Sequence, residues 1–267
     1  MVIALVSNPL VSVVIAVYNS ENYIARSIES ILNQTYKNIE LIIVDDSSSD
    51  NTHDILEKYK DYESITIVFN QYNLGIAKSR NIGGKIAKGK YIAVQDADDV
   101  SLVTRIENQV EFLETRKDVV VLGTKRINIK NNVKNSGHYY DENKINNIVY
   151  LSNPIAHTSA MIRKDIYDKV NGYNETYETT VDYELYIRLI EYGKIAMLKE
   201  ELVEYYIHNN SISAKKRFTQ CLNSAKVKYK NIDKIGLYKF VKSTLYRCIT
   251  AYLPNWIIEL KRKIFTK

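Results

Sequence analysis

Residues 11–17 read VSVVIAV and residues 41–46 read LIIVDD, two short β-branched apolar runs of which the second ends in paired carboxylates. Runs of this length and composition suit strands buried on both faces of a sheet. Between them Asn19 and Ser20 offer N-cap chemistry, and Ile24, Ile28, Ile31 and Leu32 recur at helical spacing. The polar cluster DDSSSD at 45–50 caps a second helix carrying Ile55, Leu56 and Tyr59. Outward from there the alternation continues: strand 65–69, helix 76–87, strand 91–94, helix 102–113 and strand 119–122. Strands alternating with helices predict an α/β fold with a mostly parallel central sheet. Beyond Gly123 the pattern loosens. It predicts a strand over 125–134, a helix over 142–151, a short strand over 160–163, a helix over 182–192 and two short strands over 195–198 and 202–207. From 213 onward the chain reads as two or three basic helices, interrupted near Gly236 and Pro254.

The 267 residues, 45% hydrophobic and 25% charged with 3 Pro and 9 Gly, describe a folded globular chain and exclude a disordered or fibrous one. The apolar run at 11–17 falls far short of the ~18 residues a membrane-spanning helix requires. The first ten residues lack a basic region and a small-residue cleavage site, so no secretory signal is expected. Cys221 and Cys248 form no CxxC pair and are not expected to form a disulfide framework, so a reducing, cytoplasmic address is the default expectation. Net charge is 37 − 31 = +6, unevenly spread. Residues 214–267 hold 14 Lys/Arg against Asp233 and Glu259, a net of +12, which leaves −6 for the remainder. An acidic body with a basic tail points to a polyanionic partner, nucleic acid or an anionic membrane surface.

In open parallel sheets, ligands bind outside the carboxyl ends of the strands. Here those ends carry acid repeatedly: Asp45 and Asp46 after one strand, then Asp96, Asp98 and Asp99 after another. Three carboxylates within four residues repel one another unless a cation compensates, and hard oxygen ligands suit Mg²⁺ or Mn²⁺. Other chemistries lack their signatures. No GxG occurs, so the dinucleotide fingerprint is absent, as are the complete P-loop and the GxSxG elbow. His53, His138, His157 and His208 are too scattered for a zinc site.

The segments PLVSVVIAVYNSENYIARSIESILNQTYKNIELIIVDDSSSDNT and NLGIAKSRNIGGKIAKGKYIAVQDADD resemble the nucleotide-binding half of inverting family 2 glycosyltransferases. NPIAHTSAMIRK, VDYELYIRL and YYIHNNSIS extend the resemblance across residues 9–213. It implies a GT-A fold, Rossmann-like with flanking helices, over 1–213, with a nucleotide-sugar half at 9–123 and an acceptor half at 124–213. Residues 214–267 form a basic α-helical C-terminal extension outside it. By this similarity Ala16, Val17 and Tyr18 line the nucleobase pocket, Asp46 hydrogen-bonds the base with Asp45 nearby, and Arg80 contacts the nucleotide. Asp96 and Asp98 match the DXD pair, Asp98 as the direct ligand of Mn²⁺ or Mg²⁺ and Asp96 nearer the sugar, with Asp99 supporting. Asp182 matches the catalytic base, while Val181 stands where the family carries a glutamate. His157 and His208 match recurrent histidines of the substrate site, the latter near the diphosphate or the metal. Ser47 replaces a customary glycine, and Tyr206 an arginine.

The resemblance thus implies transfer of a sugar from a nucleoside-diphosphate donor, UDP by the family's habit, to a glycan or lipid-linked acceptor hydroxyl. The two alternatives are a sugar-phosphate nucleotidylyltransferase and a non-catalytic sugar- or nucleic-acid-binding protein. The first needs a glycine-rich basic loop where Tyr18-Asn19-Ser20-Glu21 stands; the intact Asp46, Asp96, Asp98 and Asp182 oppose the second, and no nucleic-acid partner is expected. A composition rich in Lys, Ile, Asn and Tyr points to an AT-rich bacterial genome, and hence to surface-polysaccharide assembly. Trp256, Ile257, Leu260, Ile264 and Phe265 fall near one side of a helix with Lys261, Arg262 and Lys263 elsewhere. That pattern predicts peripheral attachment to the inner face of the cell membrane.

Overall fold

The computed structural model describes residues 8–208 and 216–252. One sheet organises the chain. β1 (Val11–Val17), β2 (Ile39–Asp45), β3 (Ile65–Phe69) and β4 (Tyr91–Asp96) run parallel, linked by α1 (Ile24–Leu32), α2 (Thr52–Glu57) and α3 (Ile76–Ile86). Then come β5 (Val100–Ser101), α4 (Arg105–Thr115), β6 (Val119–Lys130), β7 (Val133–Ser136), α5 (Glu142–Ile148), β8 (Met161–Arg163), α6 (Lys164–Lys169), α7 (Val181–Leu189) and β9 (Lys194–Tyr206). The spatial order is β3-β2-β1-β4-β8-β6-β9-β5, with β7 paired to β6. The short β8 is antiparallel to both β4 and β6, whereas β6 and β9 are parallel.

Helices cover both faces. Val13, Ile15 and Val17 pack with Ile24 and Ile28 of α1, Leu56 of α2, and Ile106, Val110 and Leu113 of α4. On the other face Val14, Ile42 and Val44 share a core with Ala77 of α3, Ile145 of α5, Tyr167 of α6 and Leu185 and Leu189 of α7. Helix α3 approaches the sheet so closely that a Cβ on Gly83 would lie 2.5 Å from Val14 Cγ1, which only glycine permits.

The predicted strands and helices up to residue 122 are present, with boundaries shifted by a few residues. Two later expectations change, and one short strand is added. The strands predicted at 119–122 and 125–134 are one strand, β6, and it stops at Lys130. There Asn131 and Asn132 both take positive φ (51° and 63°), forming a two-residue hairpin into β7. The two short strands expected at 195–207 are a single β9, irregular where Lys125 pairs with Glu201. The two-residue β5 is too short to leave any periodicity.

The C-terminal extension is helical through Tyr252: α8 (Arg217–Tyr229), α9 (Ile232–Ile235) and α10 (Leu237–Tyr252), turning at Gly236 with φ 79°. Helix α10 folds back along α8, with Phe240 against Tyr229 and Ser243 accepting a hydrogen bond from Lys228 Nζ at 3.1 Å. This hairpin overturns the expectation for the cysteines. Cys221 and Cys248 are bonded as a disulfide, their Cα atoms 5.8 Å apart, because antiparallel packing joins positions 27 residues apart in sequence. Among the described residues no helix is long and apolar enough to cross a membrane. The amphipathic segment predicted around Trp256 lies outside the described residues.

Arg105 is the most enclosed charge in the fold, with no exposed surface. Its Nη1 donates to Gln95 Oε1 (3.0 Å) and Ser101 Oγ (2.8 Å), its Nη2 to the carbonyls of Val94 (2.8 Å) and Ala160 (3.3 Å), and its Nε to Gln109 Oε1 (3.1 Å). Burial lowers its pKa to about 10, although Asp96 and Asp99 favour the charged form. Arg105→Leu should lower the unfolding free energy by about 3 kcal/mol or more, since several buried acceptors lose their donor at ~1–3 kcal/mol each. Urea denaturation measures it, and Arg105→Lys should recover only part.

Lys228 is 1% exposed, and burial, followed by Arg247, lowers its pKa to about 8 from 10.5. A base with a depressed folded-state pKa is penalised in full below about 8, and the penalty fades as pH rises toward its unfolded value. Lys228→Met should therefore raise the Tm at pH 7 by ~2–4 °C for each kcal/mol relieved. In thermal melts the difference from the native chain should shrink between pH 8 and 10.5.

Candidate active site

The chain passes from β1 outward through β2 and β3, then returns to place β4 on the other side of β1. The sheet therefore changes winding direction between β1 and β4, where a crevice opens at the carboxyl ends of the strands. At that edge Ala16 is level with Asp96, and Val17 with Asp45. Ala16 is at this edge and Tyr18, just beyond it, is 49% exposed. Val17 does not line a pocket with its side chain. Strand alternation turns it into the core with Ile15 and Ile24.

Asp45 and Asp46 shape the loops on this edge. Asp45 Oδ1 accepts from Ser48 N (3.1 Å) and Ser48 Oγ (2.5 Å), closing a turn that passes through Ser47 at φ 64°. Asp46 Oδ1 accepts from Asn70 Nδ2 (2.9 Å) and Leu74 N (2.8 Å), and Oδ2 from Gly75 N (2.8 Å). These bonds tie the β3–α3 loop to the end of β2. Gly75, at φ 88°, directly precedes α3, so Asp46 helps position the helix that carries Arg80.

Arg80 Nη2 donates to Asp96 Oδ1 at 2.6 Å, and its guanidinium lies 5.6 Å from the centroid of the Tyr173 ring. Burial disfavours its charge, but Asp96, Tyr173 and Asp182 outweigh that and raise its pKa. Asp182 thus shares the electrostatic neighbourhood of Arg80 and Asp96 although it comes from the first turn of α7. Its Oδ2 accepts from Asn153 Nδ2 (2.5 Å) and its Oδ1 from Tyr183 N (2.8 Å). Burial raises the Asp182 pKa, with Asp96 adding repulsion and Arg80 opposing. A carboxylate held in place with a raised pKa has the properties a general base needs.

His157, expected at the ligand, is a core residue here. It is 7% exposed; Nδ1 lies 2.8 Å from Tyr186 Oη and Nε2 2.7 Å from Tyr173 Oη. Both ring nitrogens are thereby engaged. Burial, then Arg80 and Arg105, hold its pKa well below the ordinary value. Its reach to the site runs through Tyr173, which it orients beneath Arg80.

The second half of the site gathers around Asp98 and Asp99. Arg26 of α1 donates from Nη2 to the carbonyl of Asp98 (3.0 Å) and stacks over the Tyr206 ring at 3.8 Å. Tyr206 N donates to Asp99 Oδ1 (2.9 Å). His208 stacks on Tyr206 and on Tyr23, with ring centroids 6.2 and 4.7 Å away. Burial and the Asp96 charge push the Asp98 carboxyl up to about 6, with Arg26 and Arg80 opposing. Asp99, 1% exposed, is raised well above its ordinary value by burial, then by Asp96 and Asp98.

Two buried polar atoms at this end, Asp99 Oδ2 and His208 Nε2, have no hydrogen-bond partner. A carboxylate oxygen and an imidazole nitrogen are donor types that a divalent cation accepts, and both residues contact Tyr206. Among the described residues no three His, Cys, Asp or Glu side chains converge into a full cage. Sequence reasoning missed Arg26, Asn153 and Tyr173. Each is an unremarkable residue in its own segment and gains a role only through contacts made across the fold.

Known proteins resemble the chain over this same architecture. Residues 12–170, more than half of it, match the family model described as Glycosyl transferase family 2. The UDP-Glc:alpha-D-GlcNAc-diphosphoundecaprenol beta-1,3-glucosyltransferase WfaP of Escherichia coli is 36% identical over 260 residues, covering 94% of this chain and 95% of WfaP. The putative glycosyltransferase EpsE of Bacillus subtilis is 33% identical over 266 residues, covering 96% and 94%. Among solved structures, S. aureus TarS 1-349 superposes with a TM-score of 0.68 at 21% identity, over 90% of this chain and 72% of that one. The mannosyltransferase PcManGT of Pyrobaculum calidifontis, in complex with GDP-Man and Mn²⁺, gives 0.67 at 17%, over 92% and 71%. These two likenesses support the GT-A fold. The family match and the relatives go further: the chain belongs to glycosyltransferase family 2.

Proposed function

We propose that this chain is an inverting, metal-dependent hexosyl- or N-acetylhexosaminyltransferase that moves a sugar from a UDP-sugar to a hydroxyl of a glycan or lipid-linked acceptor. The observation that carries this reading is the placement of Arg80 between Asp96, at the end of β4, and the electrostatic reach of Asp182, at the start of α7. Inversion needs a base and a leaving group on opposite faces of the sugar, and here the two acids come from separate elements.

Asp182 takes the proton of the acceptor hydroxyl as its oxygen bonds the anomeric carbon, and the bond to the diphosphate breaks with its electron pair on the departing oxygen. Asn153 and the Tyr183 amide hold the carboxylate for that transfer. Arg80 stabilises charge on the nucleotide side. Asp46 retains one acceptor position on Oδ2 beyond its three bonds, available to a base N–H. A divalent cation held by Asp98, with Asp96 and His208, supplies charge neutralisation at the diphosphate when bound. UDP as the nucleotide is supported by the donor in WfaP's name, and a lipid-linked acceptor by its diphosphoundecaprenol substrate. Such an acceptor puts the reaction at the inner face of a bacterial cell membrane, in surface-polysaccharide assembly. Nucleotidylyl transfer is not favoured, since the loop after β1 offers no glycine-rich basic grip.

Incubation with Mn²⁺ and a panel of nucleotide sugars tests the reading, which requires release of the nucleoside diphosphate; pyrophosphate exchange in its place would sink it. Asp182→Asn should bind the donor about normally and lose ~10²–10⁴-fold in turnover at saturation. A collapse of donor affinity with intact turnover would make Asp182 a donor-binding residue instead.

For the metal, Asp98→Asn should lose most Mn²⁺-dependent turnover and most of the thermal stabilisation by Mn²⁺, which for a tight site reaches ~2.7 kcal/mol at a hundredfold excess over Kd. Without metal the same variant should melt no lower than the native chain, because it removes a carboxylate that burial and Asp96 disfavour. Differential scanning fluorimetry with and without Mn²⁺ reads both effects.

A further inference from the structure

Helix α10 packs on α8 through one side only. Phe240 meets Tyr229, Ser243 meets Lys228, and Cys248 is bonded to Cys221. The opposite side carries Tyr238, Val241, Leu245 and Ile249, spaced three and four residues apart, so they line one stripe along about 16 Å of helix. All four are exposed: Tyr238 by 75%, Leu245 by 57%, Ile249 by 55% and Val241 by 42%. A soluble helix normally turns such a stripe toward a core. Lys242 borders the stripe and Lys239 lies beyond it, and α10 holds no acidic residue. Across residues 217–252 there are eight Lys/Arg against one acid, Asp233.

We propose that the outward face of α10 docks on an anionic lipid bilayer, with the apolar stripe at the headgroup–acyl boundary and the lysines against the lipid phosphates. Charge complementarity selects this occupant. The same face of a second copy would oppose Lys239 and Lys242 to themselves, whereas an anionic surface satisfies them. The chain beyond the helix has matching chemistry. Residues 253–267 contribute Trp256, Ile257, Ile258, Leu260, Ile264 and Phe265 with four Lys/Arg against Glu259. A tyrosine within the stripe suits an interface that is apolar below and wet above. The inference rests on the extension alone and holds whichever nucleotide sugar the active site takes.

Full-length protein should co-sediment at low salt with phosphatidylcholine vesicles containing phosphatidylglycerol, and much less with phosphatidylcholine alone. The double variant Leu245→Glu/Ile249→Glu should bind at least tenfold more weakly. Lys239→Gln/Lys242→Gln should weaken binding by a similar factor, each basic residue near an anionic surface being worth about fivefold. The lysine pair is exposed, so it keeps the test decisive if the apolar pair disturbs folding, which circular dichroism melts would reveal. The proposal is overturned by absence of sedimentation, by equal binding to both vesicle types, or by unchanged binding in the two folded variants. A shift from dimer to monomer in the apolar variant, with vesicle binding unaltered, would assign the face to a second copy instead.

Discussion

The carboxyl end of β4 is where this molecule must be rigid, and a buried guanidinium holds it. Arg105 reaches from the start of α4 to the Val94 carbonyl and the Gln95 side chain, to Ser101 on β5, and to the carbonyl of Ala160 leading into β8. These contacts span the point where the sheet changes from parallel to antiparallel pairing. Gln95 continues the network, its amide donating to the carbonyls of Asp96 (3.1 Å) and Asp99 (2.8 Å). The acidic loop is therefore fixed by hydrogen bonds to its backbone, and its carboxylates are left for other work. A fully satisfied buried network of this kind rigidifies, while a partly satisfied one would be worse than an apolar core.

With the loop fixed, its charges divide into two regimes. Asp96 has Arg80 at ion-pair distance and is thereby compensated. Asp98 and Asp99 have no cation at that distance among the described residues; Arg26 touches only the Asp98 carbonyl and otherwise lies over Tyr206. Burial raises the cost of both unpaired charges, and Asp96 adds repulsion. The same loop thus carries one carboxylate paired with Arg80 and two without an ion-pair partner among the described residues. Asp182 reaches the Arg80 side of this loop from a separate element, the first turn of α7.

Local pattern carried the first half of the fold and the acid inventory. β1 to β4 are apolar runs with little polar interruption, and the aspartates after β2 and β4 follow directly on the strands, so the acidic edge of the sheet is legible in the sequence. The remaining structure depends on contacts between distant segments. β6 and β9 look like pairs of short strands because polar residues such as Lys125, Lys199 and Glu200 interrupt their apolar pattern, yet pairing across the sheet makes each continuous. The resemblance puts His157 in the substrate site, and nothing in its segment reveals Tyr173 and Tyr186, which arrive sixteen and twenty-nine residues later to occupy its ring. The cysteines are a parallel case: their pairing depends on how α10 folds against α8, which spacing alone does not specify.

Two strained residues stand at the entrances to the key acids, and their positions explain a departure noted in the sequence. Ser47 at φ 64° follows Asp45-Asp46, and Thr180 at φ 67° precedes α7 and Asp182. Left-handed backbone is unfavourable for a non-glycine residue, more so for a β-branched one, at ~1–3 kcal/mol. At Ser47 the turn is offset locally, because Ser48 donates twice to Asp45. At Thr180 the hydroxyl is buried without a partner, so that side chain provides no compensation. The Thr180 carbonyl does accept the Glu184 amide, so the strained residue still begins the helix. Such strain persists only where the surroundings dictate the backbone. Here they include Asn223, which binds the Thr179 carbonyl and hydroxyl from α8. The C-terminal extension thus reaches the segment that delivers the proposed base, and the geometry at Asp182 is coupled to how that extension is seated.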